Sequence, residues 1–256
     1  MLPLGATRAV YEGTKEPECR ILFPGTYDRP DAVYQIVENA PEPLGSTMKD
    51  LIERRLADPT LPMEEAFSQQ LKEEKLELPA GQFALFMNSM YAVDAYVRDY
   101  FRKAALDALL AEKLPVTVFG EGWEKYSCGD EHSLRREPAV PFALSFERIA
   151  KAHVLLNVSP IFNRGMHDRV PAGMANYAVV LTDENPYLRR TFTDGKELLF
   201  YSLEKPDTLC EQAERALTDV RLREKIAASA YETFEREYTW KRRAEQILAF
   251  AEEVEA

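Results

Sequence analysis

Short runs of apolar residues alternate along this chain with longer stretches in which apolar positions recur every three or four residues. The runs are Arg20–Gly25 (RILFPG), Pro115–Gly120 (PVTVFG), His153–Ser159 (HVLLNVS), Ala178–Thr182 (AVVLT) and Glu197–Tyr201 (ELLFY). Their length and their β-branched and large aliphatic residues predict five buried strands. Residues 31–76 are polar and rich in Glu, and Pro41, Pro43, Pro59 and Pro62 punctuate them. Three helices are predicted there, over 31–39, 46–57 and 63–75. Phe86, Met90, Val93, Val97, Tyr100 and Ala104 then share one face of a single long helix over 82–113, with Asp94, Arg98, Arg102 and Lys103 elsewhere around it. Further helices are predicted at 145–152, 168–176, 187–192, 205–218, 220–236 and 239–254. The last carries an apolar stripe of Trp240, Ala244, Ile247, Leu248 and Ala251.

Strands that alternate with helices predict an α/β fold with a doubly wound parallel sheet. Such sheets bind ligands beyond the carboxyl ends of their strands. Those ends are Gly25–Arg29, Gly120–Trp123, Ser159–Arg169 and Thr182–Pro186. No internal repeat or low-complexity segment interrupts the pattern.

Leu155 to Asp183 carries the densest chemistry. A strand leads into a loop holding Asn163, Arg164, Gly165, His167, Asp168 and Arg169, and the loop opens a helix. Free backbone N–H groups and the helix dipole favour an anion there. Gly165 allows close backbone approach, and Arg164 and Arg169 add charge and two-point hydrogen bonding suited to phosphate. Two readings fit this pattern: a diphosphate and sugar pocket, or a solvated loop whose Asp168 caps the helix. His167 is a candidate proton carrier or sugar-hydroxyl donor; His132, in a polar loop, and His153, at a strand entrance, stand in no such constellation. Gly120 and Gly122 frame a turn after a strand, without the third glycine of a dinucleotide fingerprint. Asp28 and Arg29 follow the first strand, where they fit either a plain turn or a ligand-facing strand end. No GxSxG, HExxH or Walker-type loop is present.

Composition narrows the function classes. The chain has 256 residues, 46% of them hydrophobic and 29% charged, enough to bury a core. Its net charge of -11 is diffuse, which argues against a nucleic-acid partner, because neutralising phosphates needs clustered Lys and Arg. Cys19, Cys128 and Cys210 are scattered, odd in number and without a CxxC, so neither a disulfide framework nor a zinc site is expected and a reducing cytoplasm fits best. The first residues lack the basic and apolar regions of a signal peptide, and no stretch is long and apolar enough for a transmembrane segment.

Several of these segments together resemble the C-terminal domain of the spore-maturation CgeB-like glycosyltransferases, which have the GT-B architecture. Leu2-Pro-Leu-Gly5 with Tyr11 is similar to that family's segment at the junction of its two domains. Ile21–Tyr27 (ILFPGTY) resembles its first strand of the second domain, Val118–Trp123 (VFGEGW) its "iyGegW" turn, and Val140-Pro-Phe142 the approach to "illN". Gly165–Val170 (GMHDRV) is similar to a "G-x-H-D-R-V" loop, and Thr239-Trp240 with the terminal helix fits the family's tail.

The resemblance implies a Rossmann-like domain, the C-terminal half of a GT-B enzyme, that binds a nucleotide-diphosphate sugar without a metal or other cofactor. It implies a junction segment and first strand over 1–30, an added helical segment over 31–113, and a nucleotide-sugar-binding core over 114–256. An acceptor-binding N-terminal α/β domain is expected before residue 1. Arg164 and Arg169 are then expected to meet phosphate charge, Gly165 and Asn163 to shape the loop, and His167 and Asp168 to act on the sugar or its leaving group. Gly25, Thr26, Tyr27 and Arg29, with Gly120, Gly122 and Trp123, would line the cleft, and Pro141 and Phe142 would border the base. Two positions depart from related GT-B families, which read "R-V-F-E-A-L-A-C-G" where this chain reads Arg169–Tyr177 (RVPAGMANY). Ala172 stands in place of the glutamate and Tyr177 in place of the glycine. The missing carboxylate motivates a second reading, a degenerate non-catalytic module acting in assembly or binding; a nucleotide-sugar epimerase of the same architecture is a third.

Overall fold

A computed structural model describes residues 2–9, 18–129 and 131–255; Tyr11 lies outside them. The strands are β1 (Cys19–Pro24), β2 (Val116–Phe119), β3 (Leu134–Glu137), β4 (Ala152–Asn157), β5 (Val179–Asp183) and β6 (Leu199–Tyr201). They form one sheet in the order β3-β2-β1-β4-β5-β6, every pair parallel, with Ile21 opposite Val116 on one side and Val154 on the other. The helices are α1 (Pro30–Glu38), α2 (Leu44–Ala57), α3 (Met63–Glu73), α4 (Ala80–Ser89), α5 (Tyr91–Ala111), α6 (Phe142–Ala150), α7 (Arg169–Ala175), α8 (Pro186–Thr191), α9 (Pro206–Thr218), α10 (Val220–Glu237) and α11 (Trp240–Glu255). Among the described residues no helix is long and apolar enough to cross a membrane.

The unbroken apolar runs follow from coverage of both sheet faces. Side chains alternate across a strand, so Ile21, Phe23, Val154, Leu156, Val179 and Leu181 enter one core, packed by α1, α2, α5 and α9. Leu22, Leu155 and Val180 enter the other, packed by α6, α7 and α10. Each such burial contributes roughly 1.5–3 kcal/mol. The chain winds outward from β1 through β2 to β3, returns to β4 beside β1, and winds outward the other way. That reversal opens a crevice at the carboxyl ends of β1 and β4, where doubly wound folds hold ligands.

Two elements differ from the pattern. Strand β3 escapes a search for apolar runs because it is an edge strand whose residues, apart from Leu134, are polar and incompletely buried. Arg136 folds back from it to the carbonyls of Trp123 and Tyr126, at 3.2 and 2.9 Å. The single helix expected over 82–113 is two, α4 and α5, which break at Met90. Its expected apolar face also shifts: Met90, Val93 and Val97 are buried, but Tyr100 is exposed, and Arg102 is buried instead.

Tyr177 has a φ of 58°, in the left-handed region that favours glycine, which gives a physical reason for the glycine of related families. Its ring stacks on Tyr231 at 4.3 Å, with the Arg8 guanidinium 5.7 and 5.2 Å from the two ring centroids. Left-handed strain of about 1 kcal/mol is thus opposed by stacking of about the same size. Tyr177→Gly should therefore melt close to the wild type, and Tyr177→Ala, which loses the stack and keeps the strain, should melt lower. Thermal melts that put the glycine variant below the alanine variant would contradict this balance.

Candidate functional site

A cavity of about 640 Å³ opens at the carboxyl ends of β1 and β2, against the segment that follows β4. Gly25, Thr26 and Gly120 form one side, His167, Asp168, Arg169 and Ala172 another, and Phe142 the rim. The segment Leu4–Thr7 and Trp240 complete the wall. That segment is tied down: the Ala6 N–H donates to the Tyr238 carbonyl (3.0 Å), and the Asn176 side chain donates to the Thr7 carbonyl (3.0 Å) and accepts from the Ala9 N–H (2.7 Å).

The turns after β1 and β2 are zipped together. The Gly25 N–H donates to the Phe119 carbonyl (3.0 Å) and the Tyr27 N–H to the Glu121 carbonyl (2.9 Å). At this separation there is no room for side chains: a Cβ on Gly120 would lie 2.1 Å from the Gly25 carbonyl oxygen, and one on Gly122 1.9 Å from that of Tyr27. Trp123 is buried, stacks on Tyr27 at 5.1 Å, and donates its indole N–H to the Gly25 carbonyl (2.7 Å). Tyr27, Gly122 and Trp123, expected to line the cleft, therefore lie behind it and hold the Gly25 turn in place.

Arg169 forms the cavity's charged floor. It is buried, and its Nη1 donates to the Asn157 side-chain oxygen at 2.7 Å. Asn157 belongs to a polar network at the ends of β4, β5 and β6. Its amide donates to the Thr182 hydroxyl (2.9 Å), the Ser159 hydroxyl donates to its oxygen (3.0 Å), and the Tyr201 hydroxyl donates to its carbonyl (3.0 Å). Among the described residues no carboxylate hydrogen-bonds the Arg169 guanidinium, and burial, only partly opposed by the nearby Asp168 and Asp183 charges, lowers its pKa to about 10.

Asp183 is the nearby carboxylate, held at 2.8 Å by the Ser159 N–H. Burial raises its pKa to about 7, against the pull of that hydrogen bond and of Arg169. The unfolded chain releases this proton near pH 4. Between about pH 4 and 7 the folded state thus binds more protons, and stability falls as pH rises through that window. Melting temperature should drop from pH 5 to pH 8, and Asp183→Asn should flatten part of that drop. An unchanged slope would mean that Asp183 is already ionised at pH 5.

His167 and Asp168 share the cavity wall and contact each other through Nδ1 and Oδ1. Burial lowers the His167 pKa, and the neighbouring Arg169 charge adds to the shift. Burial works against the Asp168 carboxylate, but the hydrogen bond to His167 and nearby positive charge outweigh it and its pKa is lowered. Asp168 makes no side-chain cap on α7.

The remaining expected site residues stand apart. Arg164 turns away from the cavity to Glu64 and Glu65 of α3, so the two loop arginines do not act on one point. Gly165 is stitched into a turn, its N–H to the Phe162 carbonyl (3.2 Å) and its carbonyl to the Asn185 amide (3.2 Å). Asn163 is buried beside it. Arg29 is exposed and pairs with Asp31 at the start of α1. Pro141 precedes α6 on the exposed side and does not line the cavity, which its neighbours Val140 and Phe142 both reach. Asn157, Asp183 and Arg102 are the polar residues that periodicity alone passes over. The first two had a signal, a polar residue closing an apolar strand; for Arg102 the signal was its place in the stripe Ala95, Asp99, Arg102, Leu106 and Leu109, all buried.

The fold recurs in known proteins. Solved structures with a similar fold include Anabaena HepE in complex with UDP-glucose, 12% identical with a TM-score of 0.51, over 59% of this chain and 45% of that one. Sucrose-phosphate synthase from Thermosynechococcus elongatus is 15% identical with a TM-score of 0.51, over 59% of this chain and 42% of that one. Each overlap spans less than half of the larger protein. No curated protein sequence matches the chain. The family described as "Glycosyl transferase-like" matches residues 98–249, from α5 through α11 and including every strand after β1. With a six-stranded parallel sheet of the GT-B type and a match over more than half its length, the chain belongs to the glycosyl transferase-like family.

Proposed function

We propose that the cavity holds a nucleotide-diphosphate sugar and that the chain serves as the donor-binding half of a cytoplasmic glycosyltransferase, transferring a hexose to an acceptor carried by an α/β domain that precedes it. The observation behind this reading is Arg169: a buried guanidinium without a hydrogen-bonded carboxylate, facing an open cavity at the point where strand order reverses. Such a group is matched by a phosphate, through charge-assisted hydrogen bonds. Phe142, exposed on the rim, is suited to stack a base. His167 and Asp168 face the same space and are positioned for the sugar or the leaving group. The UDP-glucose and UDP bound to HepE make uridine diphosphate the first ligand to test.

Ala172 presents only a methyl group to the cavity, where the resembling families place a carboxylate. Affinity should then come mainly from the diphosphate, and UDP should bind within about tenfold of UDP-glucose, a difference of ~1.4 kcal/mol. Calorimetry with both ligands and with GDP tests the reading. Absence of binding by all three at millimolar concentration would refute it. Ala172 also favours the second reading, a non-catalytic module. Binding without sugar transfer or donor hydrolysis in the protein joined to its acceptor domain would select that alternative.

A further inference from the structure

Arg102 lies outside the loop that the donor reading rests on, yet it reaches the same turn. It sits midway along α5, is 5% exposed, and donates through Nη1 to the Thr26 carbonyl. Its Nε is buried without a hydrogen-bond partner. The Asp99 carboxylate stands 3.9 Å from Nη1, beyond hydrogen-bond reach, and is already held by Arg98 at 2.9 Å. On the other side of the same turn is Arg169. A Cβ on Gly25 would lie 3.2 Å from Arg169 Nη2 and 3.5 Å from Arg102 Nη2, so the glycine leaves a gap on which both guanidiniums converge. Burial lowers the Arg102 pKa to about 9, and the Arg169 and Arg98 charges contribute. Two buried like charges with no carboxylate bridging them are costly in the unliganded protein. An anion shared between them would relieve that cost.

We propose that Arg102, delivered by the helical segment, is the second cation of the anion site, and that the paired guanidiniums select a ligand with two adjacent anionic groups over one with a single group. This deepens the donor reading above and rests on it. The helical segment thereby has a binding role: it supplies half of the charge beneath the Gly25 turn.

Base-free probes separate the charge effect from nucleotide recognition. In the wild type, inorganic pyrophosphate should bind at least about tenfold more tightly than orthophosphate. Arg102→Met should lower pyrophosphate affinity by roughly ten- to hundredfold, change orthophosphate affinity by less than about threefold, and leave the unliganded melting temperature unchanged or higher. Arg102→Gln keeps a donor for the Thr26 carbonyl without the charge and should show the same loss; it decides the matter if the methionine variant does not fold. An unchanged pyrophosphate preference in the folded variant would make Arg102 a strut for the Thr26 turn and overturn the proposal, while UDP binding by the wild type would leave the donor reading standing. A wild type that binds neither UDP nor pyrophosphate overturns both.

Discussion

Replacing Arg169 with methionine should lower nucleoside-diphosphate affinity by roughly ten- to hundredfold and leave the unliganded protein as stable as before, or more so. The two effects have one cause. Arg169 is buried, no carboxylate hydrogen-bonds its guanidinium among the described residues, and burial works against its charge more than the nearby Asp168 and Asp183 support it. Methionine fills much the same volume without a charge to desolvate. Asn157 loses one hydrogen-bond donor but keeps the Ser159 hydroxyl at 3.0 Å. Arg169→Lys should recover only part of the affinity, because an ammonium cannot make a planar two-point grip. Calorimetry and thermal melts on the same preparation decide the matter. A large drop in melting temperature with unchanged affinity would make Arg169 a structural post for the ends of β4 and β5. Arg164→Ala is the control: it removes an exposed pair with Glu64 and Glu65 and should move neither quantity much.

Gly122→Ala should be the most destabilising single-methyl change in the site. Its φ of 85° already disfavours a side chain, and the added carbon would meet the Tyr27 carbonyl oxygen at 1.9 Å. That oxygen is backbone and cannot rotate away, so the two turns must separate. A loss of about 3 kcal/mol is expected, or about 6–12 °C in melting temperature for a domain of this size. Ligand affinity should fall as well, since the separation displaces Gly25 and Thr26. Phe142→Ala offers the contrast: the residue is 68% exposed on the rim, so its loss should reduce affinity with little change in melting temperature. A Gly122→Ala melt within 2 °C or so of the wild type would mean that the turns are not held as closely as described.

The sheet was largely legible because its strands are buried on both faces, and burial writes itself as an apolar run. Strand β3 was not, because Leu134-Arg-Arg-Glu137 is an edge where polar side chains are cheap. The break at Met90 was not legible either, since both helices carry apolar residues straight through it. The cavity lining was legible at Gly25 and Gly120 and at His167, Asp168 and Arg169, whose position after β4 follows from the fold. Arg164 shows where local reasoning stops. Spacing placed it beside Arg169, but its direction was set by two glutamates about 100 residues away in α3. Trp123 and Tyr27 have the same lesson in packing: large aromatic rings beside a site find more contact behind the turn than in front of it. Arg102 was masked by its own charge, which made a buried position read as a solvated one.

The helical segment between β1 and β2 also bears on how the sheet assembles. Closing a loop costs entropy only as the logarithm of its length. Joining β1 to β2 through 91 residues (25 to 115) rather than about 15 therefore costs under about 2 kcal/mol, which the apolar contacts of α1, α2 and α5 readily offset. The kinetic effect is larger. The central strand must find both neighbours across long separations, Ile21 with Val116 and Ile21 with Val154, whereas Val154 meets Val179 only 25 positions on. Local pairings form before distant ones. Strands β4 to β6 should gain protection in pulse-labelled hydrogen exchange ahead of β1, and the crevice beside β1, with Gly25 in its turn, should be the last part of the molecule to take shape.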